Sequence, residues 1–281
     1  MSLSFLKGKK VLIVGLGRLG GGVATAKFLL RKRAKVTITD LKTKADLRDS
    51  VQELRGKNIK FVLGQHRKAD FKQADIIVFN PAVSVFSQWV KLAQKLEKPI
   101  ENDLTLFLRE FKERFPGKDY LAVTGTRGKT TTATWLAHLL KPAVLGGNIP
   151  ETGFLRVLPK ISKYSGPLVL ELSSFQLEFM AKGMKPPRVA VITNLFNDHL
   201  NRYGTQEAYA NFKANIFSNQ RAGDFLILNA DDPWHPLFLR KKPQSKVYYV
   251  SLKRLGSQVS GLFFIEDRIF FKEGRSVKSV G

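Results

Sequence analysis

Residues 121–132 read Leu-Ala-Val-Thr-Gly-Thr-Arg-Gly-Lys-Thr-Thr-Thr. A short apolar run enters a glycine loop, and Lys-Thr then opens a helical stretch that continues through Ala133 to Leu140. Backbone N–H groups in such a loop turn inward and bind phosphate oxygens, and the helix N-terminus adds positive potential. Gly125, Thr126, Arg127, Gly128, Lys129, Thr130 and Thr131 therefore form a candidate nucleotide-binding set. Lys129 would reach the β- and γ-phosphates of ATP, and the Thr130 hydroxyl would ligate Mg²⁺. The general pattern wants a glycine where this chain has Val123, so the loop is a variant that starts at Gly125. The bland alternative is a glycine-rich turn that only caps a helix.

Gly15-Leu-Gly-Arg-Leu-Gly20 is a second glycine loop, again after an apolar run, with Asp40 at the end of the next one. A dinucleotide, another diphosphate such as that of a UDP-sugar, or a tight structural turn would each fit this pattern. Glu171 ends the apolar run Pro167–Leu170, where ligands of parallel sheets bind; its carboxylate suits Mg²⁺. His199, one of four histidines, lies beside Asp198 just past another apolar run and is a candidate metal or phosphate ligand. Lys213 reads, from its own surroundings, as a solvated helix lysine. Asn229-Ala-Asp-Asp232 could cap the following helix or approach a nucleotide.

These loops need strands to hold them. Short apolar runs at Lys10–Val14, Lys35–Thr39, Lys60–Leu63 and Asp75–Phe79 alternate with helical segments at Gly21–Leu30, Asp46–Arg55 and Ser87–Leu96. This predicts an α/β fold with a Rossmann-like doubly wound domain over 1–116. The breaker pair Pro116-Gly117 marks a boundary. A P-loop-type domain follows over 117–281, with strands starting at Tyr120, Pro167, Val189 and Asp224 and a hairpin turning at Glu266-Asp267. The length, 281 residues, agrees with two domains at roughly 150 residues each. There are no cysteines, which excludes disulfides, thiolate catalysis and Cys-bound metals. No apolar run approaches the ~18–20 residues of a membrane span. The segment Met1 to Lys10 lacks the order of a signal peptide, so a cytoplasmic protein is expected. Lys plus Arg is 47 against 23 Asp plus Glu, net +24, spread over both halves. Nucleic-acid binding is one reading of that charge; a basic background with anionic small substrates is preferred, because no nucleic-acid module is visible.

Taken together, Gly125-Thr-Arg-Gly-Lys-Thr-Thr131, Gly146-Gly-Asn-Ile149, Leu170-Glu-Leu-Ser-Ser-Phe-Gln-Leu-Glu178, Asn197-Asp-His-Leu-Asn-Arg-Tyr203 and Asn229-Ala-Asp-Asp232 occur in an order that resembles the Mur ligase family. The resemblance runs from Lys10 to about Lys278 and is most specific at Leu170–Glu178. It implies ATP- and Mg²⁺-dependent joining of D-glutamate to UDP-N-acetylmuramoyl-L-alanine through an acyl phosphate, in peptidoglycan synthesis. By motif, Lys129 and the loop amides would bind ATP, Thr130 and Glu171 would hold one Mg²⁺, and His199 would help hold a second. Lys213 falls where the family has a carbamylated lysine, whose oxygens could support Mg²⁺. Gly17, Arg18, Leu19, Leu41 and Lys42 would hold the UDP part, and Asn148, Ser173 and His199 the muramoyl-alanine part.

Arg127, Pro150 and Asn201 depart from the family pattern, which usually has Asn, Gly and Asp there. The family's Asn-rich adenine-binding helix and its third, amino-acid-receiving domain are not matched. The chain is therefore expected to lack the D-glutamate site, to bind its substrates but turn over little alone, and to work with a separate chain that supplies the missing domain. The rival readings are another Mur or folylpolyglutamate-type ligase, a non-catalytic nucleotide-binding module, and an NAD-dependent enzyme.

Overall fold

The computed structural model describes residues 6–163 and 165–280. Residues 1–5 of the N-terminal reading lie outside them. The chain forms two compact units. Unit 1 comprises Met1–Gly117, Gly146–Lys163 and Glu178–Met184; unit 2 comprises Lys118–Leu145, Tyr164–Leu177 and Lys185–Gly281.

The first ten elements alternate strand and helix: β1 Lys10–Val14, α1 Gly21–Arg31, β2 Lys35–Asp40, α2 Arg48–Gln52, β3 Ile59–Leu63, α3 Lys68–Gln73, β4 Ile76–Phe79, α4 Gln88–Lys95, β5 Ile100–Glu101 and α5 Asp103–Arg114. The strands form one parallel sheet in the order β3-β2-β1-β4-β5. β1 is central, which is why Val11 to Val14 is apolar without alternation: both its faces are covered. The chain leaves β1 toward β2 and β3, then returns to β4 on the other side. The loops after β1 and β4 therefore meet at the switch point where ligands of such sheets bind. Gly15, at φ 92°, packs there so tightly that a Cβ would lie 2.9 Å from Asn80 Cβ. Helix α2 is shorter than expected, because Asp46 accepts bonds from the Thr43 N–H and hydroxyl and holds the preceding residues in a turn. Ser87 caps α4 through the Val90 N–H, and Asn102 and Thr105 form a reciprocal capping box on α5.

The remaining elements are β6 Tyr120–Thr124, α6 Lys129–Leu139, β7 Val144–Gly147, α7 Phe154–Ile161, β8 Leu168–Glu171, α8 Ser174–Leu177, β9 Val189–Ile192, α9 Leu200–Tyr203, α10 Gln206–Ala214, β10 Phe225–Asn229, α11 His235–Leu239, β11 Lys246–Ser251, β12 Gly261–Ile265, β13 Arg268–Glu273 and β14 Ser276–Ser279. The second sheet runs β14-β13-β12-β11-β10-β9-β6-β8-β7. The pairs from β8 through β6, β9, β10 and β11 to β12 are parallel; β12, β13 and β14 are antiparallel. The hairpin turns at Glu266-Asp267, as expected, both at positive φ. β6 has β8 on one side and β9 on the other, so three loops converge at its C-terminal end. No helix of the described residues is long and apolar enough to cross a membrane.

Candidate active site

In unit 2 the register aligns Val123 with Glu171 of β8 and Thr124 with Ile192 of β9. Gly125, Leu172 and Thr193 thus leave the sheet side by side. Gly125 sits at φ 150°, and a Cβ there would lie 1.9 Å from Thr193 Oγ1, so only glycine fits. Asn194 then clamps the loop. Its carbonyl accepts the Thr126 N–H at 2.9 Å, its Oδ1 accepts the Arg127 N–H at 2.9 Å, and its Nδ2 donates to the Arg127 carbonyl at 3.2 Å. Thr193 Oγ1 donates to the same carbonyl at 2.7 Å. Gly128, at φ 76°, turns the chain into α6 with no side-chain cap. The first-turn N–H groups of α6 have no partner within the helix and point out along its axis.

Four side chains gather around this loop. The Thr130 hydroxyl donates to Glu171 Oε2 at 2.5 Å, and Glu171 is buried. Lys129 Nζ donates to the Thr126 carbonyl at 2.8 Å. Lys213 Nζ donates to the Gly125 carbonyl at 2.7 Å and lies 4.4 Å from the Tyr209 ring centroid. Lys213 is only 1% exposed, which corrects the reading of a solvated lysine. Tyr209, Ala210, Lys213 and Ala214 are all buried on α10; the four-residue spacing puts Lys213 on the face that Tyr209 buries. Burial holds its pKa well below the usual lysine range, helped by the charge of Lys129 and opposed by Asp198. Burial also lowers the pKa of Lys129, while Glu171 and Asp198 raise it.

His199 adopts φ 53° at the start of α9, with its ring 4.8 Å from Phe175 and 5.9 Å from Tyr209 between centroids. Its Nδ1 is 3.7 Å from Asp198 Oδ1. His199 and Lys213 therefore share Tyr209 as a neighbour. Ser173 uses its hydroxyl locally, donating to Gln176 Oε1 at 2.8 Å at the head of α8. Asp232 ties loops together: Oδ2 accepts the Leu195 N–H at 2.7 Å and Oδ1 the Trp234 N–H at 3.0 Å. Its neighbour Asp231 takes the Ser251 hydroxyl and the Leu252 N–H, each at 2.7 Å.

Thr130 and Glu171 fit an Mg²⁺ ion completed by phosphate oxygens and water, the coordination this ion prefers over a cage of protein ligands. Among the described residues no group of three or more His, Cys, Asp or Glu could hold a metal.

In unit 1, Asp40 closes the glycine loop. Its Oδ2 accepts the N–H groups of Leu16 at 2.8 Å and Gly17 at 3.2 Å, and its Oδ1 accepts that of Lys42 at 2.9 Å. Ser50 Oγ donates to the Gly17 carbonyl at 2.7 Å. Arg18 extends outward and binds the Asp46 carbonyl through Nε at 3.0 Å. Leu19 and Leu41 are exposed large apolar side chains beside Gly17, Arg18 and Lys42. Sequence reasoning passed over two residues here. At Gly22 a Cβ would meet the Leu16 carbonyl oxygen at 2.2 Å, and Arg156 reaches the Gly20 carbonyl at 3.5 Å. Asn148 follows β7 and is exposed within unit 1.

A family model for the Mur ligase middle domain matches residues 123–262, and one for the Mur ligase MurD-like N-terminal domain matches residues 9–101. The chain belongs to the Mur ligase family. This Mur ligase chain is 39% identical over 283 residues to the UDP-N-acetylmuramoylalanine–D-glutamate ligase of Roseiflexus sp. (strain RS-1), covering 98% of this chain and 59% of that protein. It is 39% identical over 257 residues to the enzyme of the same name from Borreliella afzelii, covering 89% and 54%. It therefore spans little more than half the length of these curated relatives. The solved UDP-N-acetylmuramate–alanine ligase of Thermotoga maritima is 25% identical with a TM-score of 0.51, covering 97% of this chain and 58% of that one. A second ligase structure, UDP-N-acetylmuramate:L-alanyl-γ-D-glutamyl-meso-diaminopimelate ligase of Neisseria meningitides, shares the fold at 16% identity and a TM-score of 0.55, covering 96% and 86%.

Proposed function

We propose that this chain is the substrate- and nucleotide-binding part of a cytoplasmic, ATP-dependent ligase that joins D-glutamate to UDP-N-acetylmuramoyl-L-alanine in peptidoglycan synthesis. The names of the relatives support the substrates. The observation that carries the reading is the convergence of Lys129, Thr130, Glu171 and Lys213 on one glycine loop at the head of β6.

Residues 1–116 bind the UDP-substrate. Gly17, Arg18, Leu19, Leu41 and Lys42 hold the UDP part, and Asn148, Ser173 and His199 the muramoyl-alanine part. Residues 117–281 bind ATP through Gly125–Thr131. The substrate carboxylate forms a bond to the γ-phosphorus as the bond to ADP breaks, which gives an acyl phosphate. The amine of D-glutamate then attacks the acyl carbon, and phosphate leaves with its electron pair. Lys129, whose Nζ donates to the Thr126 carbonyl, would offset charge on the transferring group. Thr130 and Glu171 would hold Mg²⁺, which would supply charge neutralisation on the phosphates. The lowered pKa of Lys213 favours the neutral amine, which can add to carbon dioxide with loss of a proton. The resulting carbamate would keep an N–H for the Gly125 carbonyl, and Lys213 so modified, with His199, would help to hold a second Mg²⁺.

Titration calorimetry with UDP-N-acetylmuramoyl-L-alanine and with a slowly hydrolysed ATP analogue tests this. Each is expected to bind once, and Lys129→Ala is expected to remove nucleotide binding while sparing the UDP-substrate. Absence of binding by both molecules would refute the proposal.

A further inference from the structure

The last two side chains of β2 point to opposite faces of the unit 1 sheet, as neighbours in a strand must. Asp40 turns to the glycine loop, where its oxygens accept three backbone N–H groups. Thr39 is fully buried and turns the other way, toward His66. His66 follows closely on β3. The Gly64 N–H donates to the Lys42 carbonyl at 2.9 Å, and Gln65 pairs with Asp40 in an antiparallel bridge. The segments after β2 and β3 therefore run side by side, and His66 comes directly after that pairing.

Thr39 fixes the tautomer of His66. Its hydroxyl has a single proton, and the Gln65 carbonyl, 2.8 Å away, can only accept it. His66 Nδ1 is also 2.8 Å from Thr39 Oγ1 and must then be the donor. Nδ1 therefore carries the proton and Nε2 presents a lone pair. Burial holds the pKa of His66 below the usual histidine value, against the pull of Asp40, so the ring is neutral at neutral pH. Trp89 at 5.1 Å and Phe71 at 6.5 Å between centroids stand nearly perpendicular to the ring and steady it. Among the described residues Nε2 has no hydrogen-bond partner, and it is not one of the unpartnered atoms closed off from solvent.

We infer that His66 Nε2 reads the base of the nucleotide held at this sheet edge, by accepting the N3–H of uracil. The inference rests on the reading of unit 1 as the UDP-substrate site and names the residue that selects the base. A diphosphate at the first turn of α1 lies on the side that Asp40 serves. A nucleoside crossing the end of β2 from there reaches the Thr39 side, past Leu41, which is 62% exposed and offers an apolar surface to a flat ring. N3–H is the one donor on the pairing edge of uracil. Cytosine has a bare N3 and would set lone pair against lone pair. Asp40 already serves three amides, so the acceptor with a free lone pair is His66.

Titration calorimetry would compare UDP-N-acetylmuramoyl-L-alanine with its cytidine counterpart, on the parent chain and on His66→Phe. That variant keeps a ring against Trp89 and leaves Thr39 bonded to Gln65. The parent should prefer the uridine compound by at least about tenfold, since the wrong base leaves a polar pair unmade. The variant should lose the preference through weaker uridine binding alone. NMR correlation of the ring nitrogens with the ring protons, on the parent and so independent of how the variant folds, should find the His66 proton on Nδ1. The Nε2 signal should then move to lower frequency when the uridine compound binds. The inference is overturned, with the UDP-substrate reading intact, if the parent binds both compounds equally well, if His66→Phe keeps the preference, or if Nε2 carries the proton in the free chain. If neither compound binds, the UDP-substrate reading fails and the inference falls with it.

Discussion

Asp40 is expected to be worth more to unit 1 than any other single carboxylate near the glycine loop. Its two oxygens accept N–H groups from Leu16, Gly17 and Lys42, and the bond from Leu16 is buried. Asp40→Ala would leave that buried N–H without an acceptor, a loss of about 1–3 kcal/mol, more where the acceptor was charged. Water can reach the half-buried Gly17 and Lys42 donors, so each adds about 0.5–1.5 kcal/mol. The expected cost is therefore about 2–6 kcal/mol, a large part of a domain's stability. Asp40→Asn separates charge from geometry. Its single oxygen can serve Leu16 and Gly17, but its NH₂ then faces the Lys42 N–H, donor against donor, so about half the loss should remain. Urea unfolding followed by Trp89, the one tryptophan of unit 1, would measure both variants in a Trp135→Phe, Trp234→Phe background. Hydrogen exchange at Leu16 and Gly17 gives the local readout. An Asp40→Ala variant within about 0.5 kcal/mol of the parent, with both amides still protected, would show that the carboxylate does not hold the loop.

Glu171→Gln keeps the shape but not the charge beside Thr130; on the proposed reading it should weaken nucleotide binding at least about tenfold in Mg²⁺ and little in EDTA. An equal loss in both media would remove the metal role. Lys213 carries a sign that can be checked. Its folded pKa is lowered, so as pH rises toward the unfolded value of about 10.4 the unfolded chain holds the proton that the folded chain has released, and stability climbs. Lys213→Met abolishes that climb, leaving only the smaller one expected from Lys129. The variant should therefore compare best with the parent near neutral pH and lose ground toward pH 10 in urea midpoints. Parallel curves would mean the ammonium is not desolvated.

Much of this architecture was legible because parallel sheets write themselves plainly. Val11–Val14 and Val169–Leu170 are apolar without alternation since both faces are covered, and the glycines and Glu171 fall where those runs end. The hairpin was legible from Glu266-Asp267. The short edge strands β5 and β14 were not, because a two-residue strand has no period and Ser276-Val-Lys-Ser279 is exposed throughout. Lys213 was misread from its charge although its four-residue spacing from Tyr209 carried the signal. Asp232, open between two roles, turned out to tie Leu195 and Trp234. Asn194 could not have been found by type alone: its importance comes from the register of β6 against β9, a long-range fact that no local pattern contains.

The two glycine loops, in different units and different sheets, use one physical device. In each, a residue at or just past the end of the neighbouring strand consumes the early N–H groups of the loop: the Asp40 carboxylate takes Leu16 and Gly17, and Asn194 takes Thr126 with its backbone carbonyl and Arg127 with its side chain. In each, a glycine at φ 76–77° then starts a helix with no side-chain cap. The amides left to face an anion are those of the first helical turn, where the dipole favours negative charge. On the proposed reading this narrows the candidate set of Gly125–Thr131, since the backbone N–H groups of Thr126 and Arg127 are already committed and the phosphate contacts would fall to Gly128 and the residues after it. It also weighs against a nicotinamide cofactor in unit 1. The acidic residue that such a cofactor needs for its ribose hydroxyls is Asp40, and here that carboxylate is bound to the loop itself.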